Sequence, residues 1–164
     1  MTYNDIYNCR NILLNIPLTF EGRRLSKGTA ANVMLLRVTY QHKLDEYFKI
    51  MQEVESGLKN EGYEERAKEY HQMKEGKTSK YEEKMKAFEA EQTAFLEALD
   101  EARKKKADEP VEIKNGKLTK EDLADIYDLI GAEGNFIYRE AGTGKELETI
   151  REEFLSLIAY NLVG

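Results

Sequence analysis

A proline-free stretch of this chain, residues 26–58, carries apolar side chains at alternating intervals of three and four. This spacing is typical of a heptad seam, the narrow stripe through which long helices pair. About thirty helical residues extend roughly 45 Å, so the stretch predicts one long helix that pairs along its length. Flanking residues such as Met34 and Val38 widen the apolar face, so we expect its N-terminal half to contact more than one neighbour. The seam consists of Ala30, Val33, Arg37, Tyr40, Leu44, Tyr47, Met51, Val54 and Leu58.

A second helical stretch, residues 79–106, is predicted to lie antiparallel to the first. Ser79 and Glu82 have the spacing of a capping box, in which side chains and backbone N–H groups satisfy each other at a helix start. The basic run 103–106 suits a helix C-terminus, where cations are favoured. The alternative for that run is a nucleic-acid patch, which is less consistent with the net negative charge of the chain. This seam consists of Tyr81, Met85, Phe88, Gln92, Phe95, Leu99 and Ala102.

Shorter elements are predicted around the two long helices. Helical periodicity covers residues 3–15, 64–74, 119–130 and 145–162, and Thr2, Thr119 and Thr143 each precede an acidic residue at capping-box spacing. Apolar–polar alternation at 111–113, followed by Asn115 and Gly116, predicts a small two-stranded β-ribbon, with an ordered arm as the alternative. The predicted fold class is therefore all-α: a helical bundle with two long antiparallel, coiled-coil-like helices and a small β-ribbon near 110–118.

This organisation predicts one helical domain over residues 1–164, which is long enough to bury a core. Its parts are an N-terminal helix plus the long helix (1–58), a helical return arm (63–107), a ribbon or connector (108–118) and a C-terminal helical pair (119–164). The same seam serves whether the two long helices pair within one chain or between two chains. A homo-oligomer is therefore one of the expected arrangements.

The amino-acid composition limits the compartments and the kinds of partner that suit this protein. Acidic residues outnumber basic ones, 31 against 25, and the net charge is −6. The single cysteine, Cys9, excludes an intrachain disulfide and fits a reducing compartment; it is predicted to be a buried hydrophobe, with a reactive thiol as the alternative. No secretory signal and no apolar run of membrane-spanning length is evident, so we expect no membrane association.

No segment of the sequence matches a motif that is typical of catalysis or of metal binding. The segment 142–145 resembles part of a phosphate-binding loop, but Arg139 and Glu146 occupy the places of the required glycine and hydroxyl residue. Neither His42 nor His71 follows an acidic residue by three positions, the spacing used in di-metal helical bundles. We therefore predict no enzymatic activity, no metal and no cofactor.

Candidate partner-binding residues come from three places in the sequence. The basic turn at Arg23 and Arg24 suits an acidic partner, with a solvated turn as the alternative. Polar Arg37 and Gln92 interrupt the seams and are candidates for fixing the pairing register. The apolar cluster in the glycine-rich segment 131–144 is either packed in the core or a docking site. The candidates are Arg23, Arg24, Arg37, Tyr40, Tyr47, Phe136, Ile137 and Tyr138.

A pattern over much of the chain resembles small helical proteins of unknown function that are encoded by tailed bacteriophages. The resemblance is carried by the apolar helix at 12–14, the basic connector with Arg23, Arg24 and Lys27, the long charged helix, and the segment 117–123. It implies a phage or prophage origin, an accessory or virion role, and a location in the host cell cytoplasm or the virion. It assigns no functional residue.

Two classes of function follow from the residues and the resemblance together. The first is a non-enzymatic phage structural or assembly protein, associated with the virion and acting through protein–protein contacts. The alternative is a regulatory binder that inhibits a host enzyme or defence complex, in which an acidic surface meets a basic partner. Direct nucleic-acid binding is less consistent with the net negative charge.

Overall fold

A computed structural model describes residues 1–76 and 82–164, and most of them are helical. The predominantly helical fold predicted from periodicity is confirmed. The predicted cap at Ser79 lies outside the described residues. In chain order the elements are α1 Tyr3–Asn15, β1 Thr19–Phe20, β2 Arg23–Arg24, α2 Lys27–Leu58, α3 Tyr63–Gly76, α4 Glu82–Ala107, α5 Lys120–Ile130, β3 Asn135–Arg139, β4 Glu146–Ile150 and α6 Arg151–Leu162.

The chain divides into two compact units. The first consists of Met1–Glu46 and Glu109–Gly164, and the second of Tyr47–Asp108. Helix α2 contributes residues 27–46 to the first unit and residues 47–58 to the second. Both β-hairpins, β1–β2 and β3–β4, belong to the first unit and are antiparallel.

The first unit has a core of aliphatic and aromatic side chains. Two helices that contribute to it, α1 and α5, start with complete capping boxes, at Thr2 with Asp5 and at Thr119 with Asp122. These caps satisfy backbone N–H groups that have no partner inside the helix. The most deeply buried side chains are Ile6, Leu13, Ile16, Val33, Tyr40, Leu118, Ile126, Ile130, Phe154, Ile158 and Leu162.

The second unit is organised around an aromatic cluster between α3 and α4. The ring of Phe88 lies 5.4 Å from that of Tyr63 and 5.1 Å from that of Tyr70, measured between centroids. Arg66 and Glu91 form a bidentate ion pair beside the cluster, at 2.8 and 2.5 Å. These contacts make α3 a packing partner of α4, a role that the long-helix seams did not predict.

Antiparallel coiled-coil pairing of α2 with α4 stays a prediction. Within the second unit, the Tyr47 hydroxyl donates to the carbonyl oxygen of Arg103 at 3.4 Å. Met51 and Leu99, both seam residues, are buried. The aromatic contacts described above go to α3, so the seam of α4 serves at least one neighbour besides α2.

The predicted β-ribbon over 110–118 is wrong. Pro110 forms an isolated antiparallel bridge with Thr2, and Leu118 forms an isolated parallel bridge with Val163. The backbone N–H of Val111 donates to Met1 at 2.7 Å. The two halves of the segment therefore take their backbone partners from the residues near Met1 and Gly164 and not from each other, although Asn115 has the positive φ that suits a turn.

The predicted C-terminal helix is also wrong in its first third. Residues 146–150 form β4, which pairs in register with β3, and α6 begins only at Arg151. Gly142 and Gly144 adopt positive φ in the intervening turn, which glycine tolerates without steric cost. The predicted helical pair over 119–164 is therefore α5, a β-hairpin and α6.

Candidate interaction surfaces

Helix α2 presents an exposed apolar stripe on the part that belongs to the first unit. One face of the helix is buried through Val33, Leu36 and Tyr40. On another face, Met34 is 53%, Leu35 63% and Val38 56% exposed, and Ala31 is exposed beside them. Positions 31, 34, 35 and 38 lie on one side of a helix. We call Ala31, Met34, Leu35 and Val38 the α2 outer stripe.

The α2 outer stripe was missed as a separate feature by the sequence pattern. The sequence predicts that Met34 and Val38 widen the seam, because seam and stripe are both apolar and lie on the same helix. The structure buries the seam residues Val33 and Tyr40 and leaves the stripe in solvent. Adjacent exposed apolar residues on a helix are a common mark of an interaction site.

The apolar cluster at residues 136–138 is split by strand alternation. Phe136 is buried and stacks on Phe154, with ring centroids 4.3 Å apart and planes 14° apart. Tyr138 points to the same side, where its hydroxyl accepts a hydrogen bond from the side chain of Asn11. Ile137 points the other way and is 56% exposed. Two of the three predicted residues therefore pack inward, and only Ile137 is available to a partner.

Asn15 holds the β3–β4 hairpin to the end of α1. Its amide nitrogen donates to the Arg139 carbonyl at 3.0 Å, and its side-chain oxygen accepts from the Arg139 N–H at 2.8 Å. On the outer side of the hairpin, Asn135 donates to Glu148 at 2.6 Å and Arg139 pairs with Glu146 at 3.1 Å. Polar pairs therefore surround Ile137 on this surface.

Arg23, a predicted partner-binding residue, lies at the C-terminus of α5. Its guanidinium donates to the carbonyl oxygens of Asp128 at 2.8 Å and Leu129 at 2.7 Å. Arg151 donates to the next carbonyl, that of Ile130, at 2.9 Å. A backbone N–H group donates to the remaining carbonyl oxygen, that of Tyr127. All four terminal carbonyl groups of α5, which have no partner within the helix, are thereby satisfied.

Arg37, the charged residue in the first seam, has the same role at the end of α1. Its guanidinium donates to Leu13 at 2.9 Å and to Ile16 at 2.7 Å, both at carbonyl oxygens. Burial lowers the pKa of Arg37 from its ordinary value, although the group stays charged at any physiological pH. Arg24, by contrast, is exposed in β2.

Tyr40 and Cys9 are neighbours in the core. Tyr40 is fully buried and donates to the carbonyl oxygen of Gly116 at 2.7 Å. Burial, with a smaller effect from Cys9, raises the pKa of Tyr40. Burial also raises the pKa of the Cys9 thiol, which is buried as predicted and lies 3.8 Å from the carbonyl oxygen of Asn161. A raised pKa disfavours the reactive thiolate. Tyr47 is half-buried in the second unit.

Two aspartates of α5 join that helix to the start of α2. Asp122 is buried and accepts from Asn32 at 3.1 Å while it caps its own helix. Burial acts to raise the pKa of Asp122, but hydrogen bonds from Thr119, Asn32 and Thr29 outweigh it and lower the pKa. Asp125 accepts from the backbone N–H of Ser26 at 2.9 Å, and hydrogen bonds from Ser26 lower its pKa as well.

Two grooves on the surface of the described residues are lined by side chains that form no recognisable catalytic constellation. A groove of about 300 Å³ between α3 and α4 is lined by Arg66, Met73, Lys84, Phe88 and neighbouring residues. Another, of about 660 Å³, follows residues 113–121 and Gly164. Among residues 1–76 and 82–164, no group of three or more histidine, cysteine or acidic side chains is arranged to hold a metal ion.

No protein family, no curated protein and no solved structure matches the chain. In the part of the chain that the structure describes, no helix combines the length and the apolar character needed to cross a bilayer. Among the residues that the structure describes, the α2 outer stripe brings three exposed large apolar side chains together on one face of a helix.

Proposed function

We propose that this protein is a non-enzymatic phage structural or assembly protein that acts through protein–protein contacts. The observation that carries the proposal is the α2 outer stripe, in which three large apolar side chains of one helix are more than half exposed. Exposing them to water is unfavourable by about 25 cal/mol per Å², and contact with a protein partner removes that cost. The resemblance to tailed-phage proteins supports the virion-associated setting.

Several of the other predicted partner-binding residues make contacts within the protein, so the α2 outer stripe is the surface proposed to bind a partner. Arg23 and Arg37 bind helix ends, and Tyr40 and Phe136 are in the core. These residues shape and stabilise the unit that presents the α2 outer stripe.

Photo-crosslinking in infected or induced cells tests this function. A photoreactive amino acid at Leu35, the most exposed of the three large side chains of the stripe, is compared with the same group at Ile137, which has similar exposure on the hairpin. We expect crosslinks from position 35 to particle or assembly-intermediate proteins. Equal crosslinking from both positions, or none from position 35, contradicts the proposal.

The alternative is a regulatory binder that inhibits a host enzyme or defence complex. The observation that favours it is the acidic character of the exposed residues around β4 and the first turn of α6, where Glu146, Glu148, Glu152 and Glu153 lie close in sequence. Such a surface suits a basic partner, and binding would weaken steeply with salt. Crosslinking from position 137 to a single host protein, lost above about 0.5 M salt, where screening lengths fall to a few ångströms, distinguishes this function from the first.

A further inference from the structure

The positions that flank the α2 outer stripe extend it into a second heptad seam. Lys27, Ala31, Met34, Val38, Gln41 and Asp45 follow one another at intervals of four, three, four, three and four. All of them belong to α2 and to the first unit. They are exposed except for Gln41, which is partly exposed. Apart from Gln41, whose side-chain oxygen is buried, this seam is solvent-facing, unlike the parallel series that starts at Ala30.

Three pairs of seam positions lie at equal distances on either side of residue 36; two of them are matched in chemistry, and the third joins Ala31 to Gln41. Met34 and Val38 lie two residues on either side of that point, and both are apolar. Lys27 and Asp45 lie nine residues on either side and carry opposite charges, and Asp45 also accepts a hydrogen bond from the side chain of Gln41 at 2.7 Å. At 1.5 Å per residue, the two charges are about 27 Å apart along the helix.

We propose that the exposed seam of α2 pairs antiparallel with the same seam of a second copy of this chain. A two-fold axis at residue 36 places Met34 against the Val38 of the second copy, and Lys27 against the Asp45 of the second copy. A two-fold interface must be self-complementary, and opposite charges at equal distances from the axis meet that requirement. A parallel arrangement instead places Lys27 against Lys27.

This inference rests on the proposed function, because it names the partner of the same α2 outer stripe. Its charge pattern is what selects a second copy over an unrelated partner. Six seam positions and the adjacent Leu35 form an interface at the small end of the specific range. We therefore expect a dissociation constant on the order of 10–100 µM for the dimer.

Sedimentation equilibrium of the full chain over a range of concentrations tests the pairing. We expect reversible dimerisation that Val38→Glu weakens by about tenfold or more, because it places two charges in the apolar centre. The matched control is Ile137→Glu, since Ile137 has the same 56% exposure and lies on the hairpin. A wild-type chain that stays monomeric up to about 500 µM, well above the constant expected for an interface this small, overturns the proposal. Equal dimerisation of the two variants also overturns it.

Charge exchange tests the orientation independently of the apolar centre. Lys27→Glu alone and Asp45→Lys alone each create two repulsive pairs, and we expect each to weaken self-association by roughly tenfold. Mixing the two variants restores both attractive pairs in a heterodimer, so the mixture should associate like the wild type. A glutamate is favoured in the first turn of a helix, so Lys27→Glu should not harm folding.

A mixture that associates no better than either variant overturns the antiparallel pairing. Failure of this inference is distinguishable from failure of the proposed function. A monomeric chain whose position 35 crosslinks to a different protein removes the pairing and leaves the function standing. A dimer whose position 35 crosslinks only to itself supports the pairing and contradicts the assembly role.

Discussion

The hydroxyl of Tyr40 donates a hydrogen bond of 2.7 Å to the carbonyl oxygen of Gly116, and both groups are buried. The bond links α2 to the connector that precedes α5, across 76 residues of sequence. Because this carbonyl group is buried, the phenol provides it with a hydrogen-bond donor. The heptad position of Tyr40 predicts burial of the ring and says nothing about this polar contact.

Replacing Tyr40 with phenylalanine should lower the free energy of unfolding by about 1–3 kcal/mol, since a buried carbonyl loses its donor while the ring volume is kept. Urea unfolding followed by circular dichroism measures the change. Tyr160→Phe is the matched control, because Tyr160 is 89% exposed and its hydroxyl is solvated. An equal effect of the two substitutions is the result that would rule out a structural role for the Tyr40 bond.

Local sequence signals predicted helix starts well where nothing distant competes. The capping boxes expected at Thr2 and Thr119 both form. Thr143 has the same spacing to Glu146, yet its hydroxyl donates to Glu140 inside a hairpin turn. The signal failed there because β4 pairs with β3, and that pairing depends on residues up to 15 positions earlier in the sequence.

Contacts between distant residues explain why the candidate site could not be predicted in full. Arg23 binds carbonyl groups more than 100 residues away, and Arg37 binds carbonyl groups of the preceding helix. A sequence shows the charge of an arginine but not the helix end that the folded chain places beside it. For the same reason the seam predicted that Met34 widens the apolar face, without showing which part of that face stays exposed.

Strand alternation in β3 should separate the effects of two adjacent substitutions. Phe136→Ala removes a buried ring that stacks on Phe154 and should cost about 3–5 kcal/mol. Ile137→Ala removes a side chain that is mostly in solvent and should cost less than about 1 kcal/mol. Thermal and urea unfolding of both variants measure the difference. Equal losses would contradict the observed strand register.

Asp122 should make the stability of the first unit depend on acid pH. Its folded pKa is lowered, so its contribution is present above the unfolded pKa of about 3.9 and is lost as pH falls through the folded pKa. Asp122→Asn should therefore cost about 1–2 kcal/mol near pH 7, mainly through the helix cap. The gap between wild type and variant should narrow as pH falls below about 4 toward the folded pKa, because the unfolded wild-type chain then binds a proton that the folded carboxylate does not.

The matched control for Asp122 is Asp128→Asn, because Asp128 is an exposed residue of the same helix. It should change the free energy of unfolding by less than about 0.5 kcal/mol at either pH. Urea unfolding of the wild type and of both variants, at pH 7 and at pH 3.5, measures the six free energies of unfolding that the comparison needs. A wild-type-to-Asp122→Asn gap that stays constant with pH would show that the charge of Asp122 contributes nothing to stability.

Substitution of Arg37 tests whether this charged seam residue fixes the pairing register or stabilises the end of a helix. Arg37→Leu keeps an apolar seam but removes donors from the carbonyl oxygens of Leu13 and Ile16. We expect a loss of about 2–3 kcal/mol in unfolding free energy, because charge-assisted hydrogen bonds are lost and the carbonyl groups stay partly buried. Arg37→Lys should recover only part of it, since an ammonium group lacks the planar fork that reaches two carbonyls.

The control for Arg37 is Arg24→Leu, which removes an exposed arginine of β2 and should change stability by less than about 0.5 kcal/mol. Sedimentation of the Arg37→Leu variant separates the two roles. A large loss of stability with unchanged self-association indicates the helix-capping role, because the α2 outer stripe is untouched. Changed self-association with unchanged stability would instead support the register role predicted from the seam, and would show that the contacts to α1 contribute little to folding.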